Sequence, residues 1–382
     1  MCSCAFSDVN EGKYMSDINL LVINPGSTST KISIFENGVE VQRKELSHSV
    51  EELSAYKKAT DQAPLRGKAV EAFLEEIGYD TGKLTAIACR GGSLPAIHMG
   101  AYEVNDEMID VLCNRPSGQH ASSCAAIIGL DIAKKLGIKA YIYDGNTADE
   151  MHDLARITGC PLVKKWSMGH FLNTKAVGRV YAAEQGKRYE DMTLIIVHTG
   201  GGISIGLHVN GVIVDVCSDE DGTFSPERSG GLPSIGWAQV CYSGKYTFEE
   251  ASAMVRGKGG LTAYLGTNDV REVERRIADG DKKAKLVYDA MIYKVSKCIG
   301  QLATAAFGKV DGIIVTGGIA RSEYFINTLK SRVEWIAPVW LKPGEMEMEA
   351  LAAGVTRVLN GEEEARIYYE DDTVNFDLDN LD

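Results

Sequence analysis

The sequence predicts an α/β fold made of two related halves with a cleft between them. Three observations indicate this class. The chain has 382 residues, enough for two domains; strand and helix patterns alternate along it; and one pattern of three strands occurs twice. No low-complexity linker separates the halves, so we expect them to share a close interface and to bind ligands in the cleft.

Composition and charge exclude several classes of protein. With 45% hydrophobic and 24% charged residues, the composition is that of an ordinary globular protein, and no apolar run approaches the roughly 18 residues of a membrane span. The formal charge of -13 argues against nucleic-acid or anionic-membrane partners, because both need clustered Lys and Arg. The nine cysteines are scattered and no signal-peptide pattern precedes them, so we expect a cytoplasmic protein with reduced thiols.

Domain limits follow from the same patterns. We expect a poorly ordered leader at 1–16 and an acidic, poorly ordered tail at 370–382. Between them we predict an N-terminal domain at 17–147 and a C-terminal domain at 148–349. Residues 350–369 are expected to pack back onto the N-terminal domain.

The first copy of the strand pattern starts at the apolar run Leu20–Asn24. A turn at Gly26–Ser29 leads into strand Lys31–Phe35, and Asn37-Gly38 leads into strand Val39–Lys44. Asn-Gly between alternating strands is a strong hairpin signal, because both central residues of that turn need positive φ. The first half therefore starts with a three-stranded meander.

The second copy repeats this order. Strand 194–198 leads through Thr199–Gly202 into strand Ile203–His208, and Asn210-Gly211 leads into strand Val212–Val216. Two such meanders imply a duplicated fold.

Helices and further strands follow each meander. In the first half we predict helices at Arg66–Ile77 and His120–Leu136, and strands at 84–90 and 140–144. In the second half we predict helices at Thr247–Val255, Val270–Ala278, Lys282–Phe307 and Met346–Leu359, and a strand at 311–318. The long helix 282–307 is apolar enough for either a core or an oligomer interface.

The turn after the first strand has the chemistry of a phosphate site. It supplies backbone N–H groups, hydroxyls, a side-chain amide and one ammonium from Asn24, Gly26, Ser27, Ser29 and Lys31. These donors suit phosphate, although the same residue types also suit an ordinary hairpin turn.

Two glycine turns in the second half complete the pattern. His198 precedes Gly200, Gly201 and Gly202, and successive glycines let the backbone approach a phosphate closely. Gly317-Gly318 follows a buried strand and precedes a predicted helix, which suits an adenosine or α-phosphate, or else close packing of that helix on its strand. Facing loops in a duplicated fold indicate a nucleotide site.

Several segments, taken together and in order, resemble the butyrate kinases of the acetate kinase family. They are "INPGSTSTK", "CRGG", "HTGGGISIG", "FSPERSGGLP", "GKGGLTAYLGTND", "TGGIA" and "PGEMEMEALAAG", within Leu20–Tyr369. The resemblance implies a duplicated actin/hexokinase-like fold, related to ribonuclease H, with the nucleotide in the cleft.

The resemblance also implies an activity. It predicts ATP-dependent phosphorylation of a short-chain carboxylate, butyrate, to an acyl phosphate by direct in-line transfer, reversible toward ATP synthesis. The implied cofactors are ATP/ADP and Mg²⁺, and the implied assembly is a homo-oligomer. Two alternatives remain open: a kinase for another acid, such as isobutyrate, propionate or a hydroxy acid, and a non-catalytic ATP-binding sensor.

The same resemblance assigns roles to residues of this chain. Arg90 matches the carboxylate-side arginine, Arg228 the arginine on the transferring phosphoryl group, and His170 a histidine on the phosphoryl oxygens. Lys31 and Asp144 join them as catalytic candidates. His120 matches a further family histidine, or serves only as a cap or core residue. A carboxylate is already ionised at neutral pH, so no general base is needed, and charge stabilisation is the protein's main task.

Magnesium is assigned to two carboxylates. Asp144 ends a strand toward the cleft, and Glu349 is the partner, with Glu345 and Glu347 close enough in sequence to replace it. The polar stretch Gly145–Thr147 departs from the family pattern near the substrate end and leaves the preferred acid open.

Overall fold

We describe a computed structural model in which residues 17–370, 373, 374 and 376 are described. The predicted leader and most of the predicted acidic tail lie outside these residues. The described chain folds around two mixed β-sheets.

The strands are β1 (Asn19–Pro25), β2 (Ser29–Glu36), β3 (Val39–Ser47), β4 (Ala86–Arg90), β5 (Ala101–Glu103), β6 (Lys139–Tyr143), β7 (Thr193–Thr199), β8 (Ile203–Val209), β9 (Val212–Cys217), β10 (Gly312–Gly317), β11 (Val339–Pro343) and β12 (Arg366–Ile367). The helices are α1 (Val50–Ser54), α2 (Ala63–Glu76), α3 (Asp106–Asn114), α4 (Ser123–Leu136), α5 (Asp153–Arg156), α6 (Phe171–Glu184), α7 (Ser234–Cys241), α8 (Phe248–Val255), α9 (Gly260–Leu265), α10 (Val270–Ala278), α11 (Lys282–Ala305), α12 (Glu323–Val333) and α13 (Glu347–Leu359). Single 3₁₀ turns lie at Ala59–Gln62, Thr81–Lys83, Tyr189–Asp191 and Ile319–Arg321.

The two sheets share one topology, which confirms the predicted duplication. The first has the order β12-β5-β6-β4-β1-β2-β3 and the second β11-β10-β7-β8-β9. In each, three antiparallel strands are followed by two strands parallel to the first of them: β4 and β6 beside β1, β10 and β11 beside β7. The carboxyl ends of β1, β4 and β7 therefore lead into the predicted loops.

Both predicted hairpins are present with the expected backbone. Asn37 and Gly38 have φ of 49° and 81°, and Asn210 and Gly211 have φ of 52° and 83°. Positive φ at both central positions is what this turn requires, and Asn and Gly tolerate it best.

The packing of the helices on the two sheets shows where the cleft lies. α4 covers the first sheet on one face, and α11 with α12 covers the second sheet. α13 packs on β1, β4 and β6, and also on α6, which packs on β7 and β10. The α6–α13 contact is therefore a seam between the two sheets. α11 is a core helix, since its residues Tyr288, Met291 and Val295 are fully buried.

Some elements differ from the predictions. α3, α6 and β11 were not predicted, and the helix predicted to start at His120 starts at Ser123. Gly318 does not adjoin a long helix, because a 3₁₀ turn at Ile319–Arg321 precedes α12. Among the described residues, no helix is long and apolar enough to span a membrane.

Candidate active site

A cavity of about 310 Å³ lies between the two halves of the protein. Of the residues predicted for the site, it is lined by Asn24, Gly26, Arg90, His120, His170, Gly202 and Arg228. It is also lined by Glu345, Glu347, Asn146, Asp219 and Arg256. The other predicted residues are not among its lining residues, and their contacts are given below.

Asn24 and Lys31 connect the first loop to the start of α13. Asn24 Nδ2 donates to Glu347 Oε2 at 2.8 Å, and Lys31 Nζ lies 3.6 Å from Glu345 Oε2. The loop between them carries Ser27 and Ser29, and its amino-terminal glycine N–H is used internally, since Gly26 N donates to Ser29 O at 2.8 Å.

A buried arginine that was not predicted fixes this loop. Arg66 on α2 is fully buried and donates to Ser29 O at 2.7 Å and to Ser27 O at 3.2 Å. Burial lowers the pKa of Arg66, and Cys124 and Glu52 oppose that effect. Because a guanidinium can donate to several carbonyls at once, Arg66 fixes the position of this loop through its carbonyl groups.

Arg90 and Glu347 form a charged pair at the end of β4. Arg90 Nη2 lies 3.6 Å from Glu347 Oε1, and Arg90 Nη1 donates to Asp144 O at 3.3 Å. Burial by itself would raise the pKa of Glu347, but Arg90, the Asn24 amide and His170 hold that pKa below its usual range. Glu347 is therefore an ionised carboxylate on the cavity wall.

The two predicted metal ligands, Asp144 and Glu349, do not line the cavity as Glu347 does. Asp144 is buried with φ of 41°, and its Oδ1 accepts a hydrogen bond from Gly100 N at 2.9 Å. Glu349 pairs with Arg43 at 2.9 Å on the outer side of α13. Glu347 and the preceding Glu345 line the cavity, and because residues two apart lie on opposite sides of a helix, Glu349 does not line it.

His170 and His198 form a stacked pair. Their ring centroids are 3.8 Å apart and their planes differ by 8°. Burial lowers the pKa of both rings, with Arg90 adding to the effect on His198, whose pKa falls to about 4. Both imidazoles are therefore neutral at neutral pH, which keeps two stacked cations from facing each other.

Asn173 on α6 sets the tautomer of His198. Its Oδ1 accepts from Met346 N at 2.8 Å, so its Nδ2 donates to His198 Nδ1 at 3.0 Å. This network leaves the proton of His198 on Nε2, which lies 3.9 Å from a Glu345 carboxylate oxygen. His170 Nδ1 similarly contacts Ser204 Oγ at 3.0 Å.

The second glycine loop is braced by the segment that carries Arg228. Glu227 N and Ser225 Oγ both donate to Gly201 O, at 3.0 and 2.7 Å. A Cβ on Gly201 would lie 2.7 Å from Glu227 Oε2, so a larger residue there would displace the Glu227 carboxylate. Gly200 N bonds within the loop to Gly202 O at 2.9 Å.

Arg228 is held by carboxylates at the cavity wall. Its Nε donates to Asp219 Oδ2 at 3.1 Å, and its Nη1 lies 3.5 Å from Glu227 Oε2. Arg256, which was not predicted, donates from Nη2 to the other oxygen of Asp219 at 3.0 Å. The acidic stretch before Arg228 was visible in the sequence, but only the fold brings Arg256 to it.

Gly317 and Gly318 lie behind the second loop rather than on the cavity wall. Gly317 and Gly344 exchange two backbone hydrogen bonds of 2.9 Å. Gly317 has φ of 91°, and a Cβ there would lie 2.2 Å from Thr199 O. Close approach of strands accounts for this glycine, and its part in adenosine binding stays a proposal.

His120 and Asn146 line the cavity near Arg90. His120 Nδ1 accepts from Ser122 N at 3.2 Å, so the ring both caps the turn before α4 and faces the cavity. Burial and the nearby Arg90 lower the pKa of His120. Asn146 Oδ1 and the adjacent Thr147 Oγ1 are enclosed and have no hydrogen-bond partner among the described residues.

Comparisons with known proteins show the family of this chain. Residues 169–334 match the model of the acetokinase family. A probable butyrate kinase of Clostridium botulinum strain Alaska E43 is 46% identical over 351 residues, which is 91% of this chain and 99% of that protein. Butyrate kinase 2 of Clostridium acetobutylicum has the same identity and coverage.

Solved structures show the same fold at low sequence identity. Acetate kinase of Porphyromonas gingivalis has a TM-score of 0.74 at 19% identity, covering 90% of this chain and 100% of that one. A propionate kinase of Francisella tularensis has a TM-score of 0.69 at 18% identity, covering 89% of this chain and 99% of that one. The predicted duplicated actin/hexokinase-like fold is confirmed.

Proposed function

The chain belongs to the acetokinase family, and from this premise we propose that its acceptor is butyrate, which it converts to butyryl phosphate. It is an ATP-dependent carboxylate kinase. The relatives named as butyrate kinases, matched over nearly their whole length, support butyrate as the acid. The observation that carries the proposal is the cavity between the halves, with Arg90 on one wall and Arg228 on the other.

Arg90 is proposed to bind the carboxylate that attacks. Butyrate is ionised at neutral pH, so it is already the nucleophile and the site needs no general base. Arg90 is held in place by Asp144 O and Glu347. A fixed guanidinium beside the cavity can orient one carboxylate oxygen toward the γ-phosphorus of ATP, and positioning is the main contribution to such a transfer.

The opposite wall is proposed to stabilise the transferring phosphoryl group. Arg228 supplies positive charge and the second glycine loop and the histidine pair supply N–H donors, while Lys31 adds an ammonium from the first half. Ser204 Oγ can donate to His170 Nδ1, which leaves the Nε2 proton of His170 to bind a phosphoryl oxygen. Because the rings are neutral, they can donate hydrogen bonds without taking up or releasing a proton during the reaction.

Mg²⁺ fits the carboxylates at the start of α13. Glu347 is ionised and lines the cavity together with Glu345. In the part of the chain that the structure describes, no group of three His, Cys, Asp or Glu could hold a metal alone, which suits an ion that takes most ligands from ATP and water. Glu347 and Glu345 would hold it, whereas Asp144 does not line the cavity, and the ion would neutralise phosphate charge.

A panel of acids tests the function. Purified protein with Mg-ATP and straight, branched and hydroxylated acids of two to six carbons is assayed by trapping acyl phosphate with hydroxylamine. We expect the highest kcat/KM with butyrate. A maximum on another acid would reject butyrate as the substrate. No product with any acid, while ATP still binds, would reject the kinase and favour the ATP-binding sensor.

A second copy of the chain is proposed to cover α7. No residue of this helix is buried, and its Ile235 is 77% exposed; beside it, Tyr242 directly after the helix and Phe248 at the start of α8 are 93% and 83% exposed. Residues 229–244 carry no charge although the chain carries -13, so two copies can approach here with least repulsion. Ile235→Asp should reduce the mass measured by light scattering from a dimer to a monomer, and an unchanged mass would reject this interface.

A cytoplasmic location is also proposed. The seven described cysteines form no disulfide among themselves, which supports a reducing compartment, where ATP is also available.

A further inference from the structure

A third arginine lines the cavity and has no role in the mechanism above. Arg256 follows α8 directly, and its side chain is 41% exposed on the cavity wall. Its backbone pairs with that of Arg228 in an isolated antiparallel bridge, and Gly257 N donates to Glu227 O at 2.8 Å. The two arginines are therefore fixed relative to each other through the main chain as well as through their side chains.

Asp219 connects the two guanidinium groups. One of its oxygens accepts from Arg228 Nε at 3.1 Å and the other from Arg256 Nη2 at 3.0 Å. Arg256 Nη2 also contacts Glu220 Oε1 at 3.1 Å and Met168 Sδ at 3.0 Å. All of these contacts use Nη2, and within the described residues Nε and Nη1 of Arg256 have no protein partner.

We propose that Arg256 is a further catalytic residue that binds the phosphates of ATP, and that Asp219 is the positioning residue for both Arg256 and Arg228. This rests on the proposed kinase function. An arginine with one nitrogen anchored and two N–H edges open beside a cavity can bind a phosphate bidentately. Asp219 holds it there before the nucleotide arrives, which reduces the ordering cost of binding.

The position of Arg256 indicates phosphate rather than the acceptor carboxylate. Arg256 shares its carboxylate with Arg228 and belongs to the second half of the protein, whereas Arg90 comes from the first half. A Cβ at Gly202 of the second loop would lie 3.9 Å from Asp219 Oδ2 and 4.0 Å from Arg228 Cγ. Asp219 and the two arginines that it binds therefore lie beside the second glycine loop, on the wall that is proposed to stabilise the phosphoryl group.

Kinetics of Arg256→Ala and Arg256→Lys test the proposal, with Arg188→Ala as the matched control. Arg188 is 75% exposed and pairs with Glu190 in the segment before β7, at the end of that strand away from the cavity. We expect Arg256→Ala to raise the KM for Mg-ATP and to lower kcat/KM about 10-fold or more, with the KM for butyrate changed less than about two-fold. Arg256→Lys should recover part of the loss because it keeps the charge.

Chemical rescue by added guanidinium distinguishes a direct role of the Arg256 side chain from a purely structural one, because a purely structural defect would not be rescued. Millimolar guanidinium chloride should partly restore turnover by Arg256→Ala and should not change turnover by Arg188→Ala. Arg256→Ala with kinetics within two-fold of wild type would overturn the proposal, and so would a loss confined to the KM for butyrate.

Asp219→Asn tests the positioning role. The amide has the shape of the carboxylate, but only one of its two terminal atoms is an oxygen that can accept a hydrogen bond. It can therefore bind one arginine well but not both, and we expect a rise in the KM for Mg-ATP. The double variant with Arg256→Ala should lose less than the product of the two single losses, because both act on one contact. Fully additive losses would overturn the role of Asp219.

Nucleotide binding separates this proposal from the kinase itself. The Kd for Mg-ADP, measured by calorimetry on the full chain, should rise several-fold in Arg256→Ala and stay unchanged in Arg188→Ala. If wild type makes no acyl phosphate, the kinase proposal fails, but this Kd still tests Arg256. An unchanged Kd together with an unchanged KM would reject Arg256 as a phosphate ligand.

Discussion

At the scale of single residues, the site is a set of paired charges that are held before substrate arrives. Arg90 and Glu347 compensate each other, and Asp219 bridges Arg228 and Arg256. Such pairs contribute little net stability when formed, but removing one partner leaves the other charge uncompensated. We interpret them as preorganisation of the site.

Replacing Arg90 should impair phosphoryl transfer to butyrate and leave nucleotide binding nearly unchanged. Arg90→Ala removes the proposed carboxylate ligand, so kcat/KM for butyrate should fall about 10³-fold or more, while the Kd for Mg-ADP changes only a few-fold. Hydroxamate kinetics and calorimetry measure the two quantities. Turnover equal to wild type would remove Arg90 from the mechanism.

Stability should fall with acid because of the buried histidines. The pKa of His198 is about 4 in the folded protein and near 6.5 when unfolded, so the unfolded chain binds more protons and stability is lost as pH falls from about 6.5 toward 4. His198→Asn keeps an acceptor for Asn173 but does not titrate. The Tm of wild type should therefore fall more steeply than that of His198→Asn between pH 7 and 5, and parallel slopes would contradict this.

Thr147 offers a test of an enclosed hydroxyl without a partner. Thr147→Val removes an unpaired polar atom at nearly constant shape, so we expect stability to rise by about 1 kcal/mol. Thr174→Val is the matched control, since that buried hydroxyl donates to Phe171 O at 3.2 Å and its loss should destabilise. Urea titrations compare the two, and destabilisation by Thr147→Val would contradict the expectation.

At the scale of elements, α13 is positioned by close contact with β6. A Cβ on Gly354 would lie 2.6 Å from the Tyr143 ring, whereas a Cβ on Gly300 in α11 would meet nothing within 4 Å. Gly354→Ala should destabilise by about 2 kcal/mol and also lower turnover, because α13 carries Glu347. Gly300→Ala should be neutral or stabilising by helix propensity; equal effects would contradict the packing argument.

The sequence could predict elements whose signal is local, and it missed those whose signal is tertiary. The Asn-Gly turn signal and the alternation of apolar and polar residues in strands both depend only on neighbouring residues. Both meanders were therefore predicted. α6 was missed because it buries polar residues, Asn173, Thr174 and Lys175, that interrupt an apolar stripe. The start of α13 was predicted within one residue, but Glu349 was chosen over Glu347 because which residue of the first turn faces the cavity depends on how the helix packs between the sheets.

At the scale of the whole molecule, duplication creates the site. The first half contributes one loop and Arg90, the second half contributes one loop with Arg228 and Arg256, and neither half alone could hold both an acid and a nucleotide. Arg256 and Asp219 lie 37 residues apart along the chain, and only the assembled second half brings them together. That is why the resemblance and the loops predicted the reaction, while the positioning contacts needed the fold.

The measurement that tests the central claim most directly is ATP formation from butyryl phosphate and Mg-ADP by wild type, beside Arg228→Ala. It follows the phosphoryl group between the two proposed partners without a trapping reagent. We expect rapid ATP formation by wild type and a loss of about 10²-fold or more in the variant. No ATP from wild type, or equal rates for both proteins, would contradict the account.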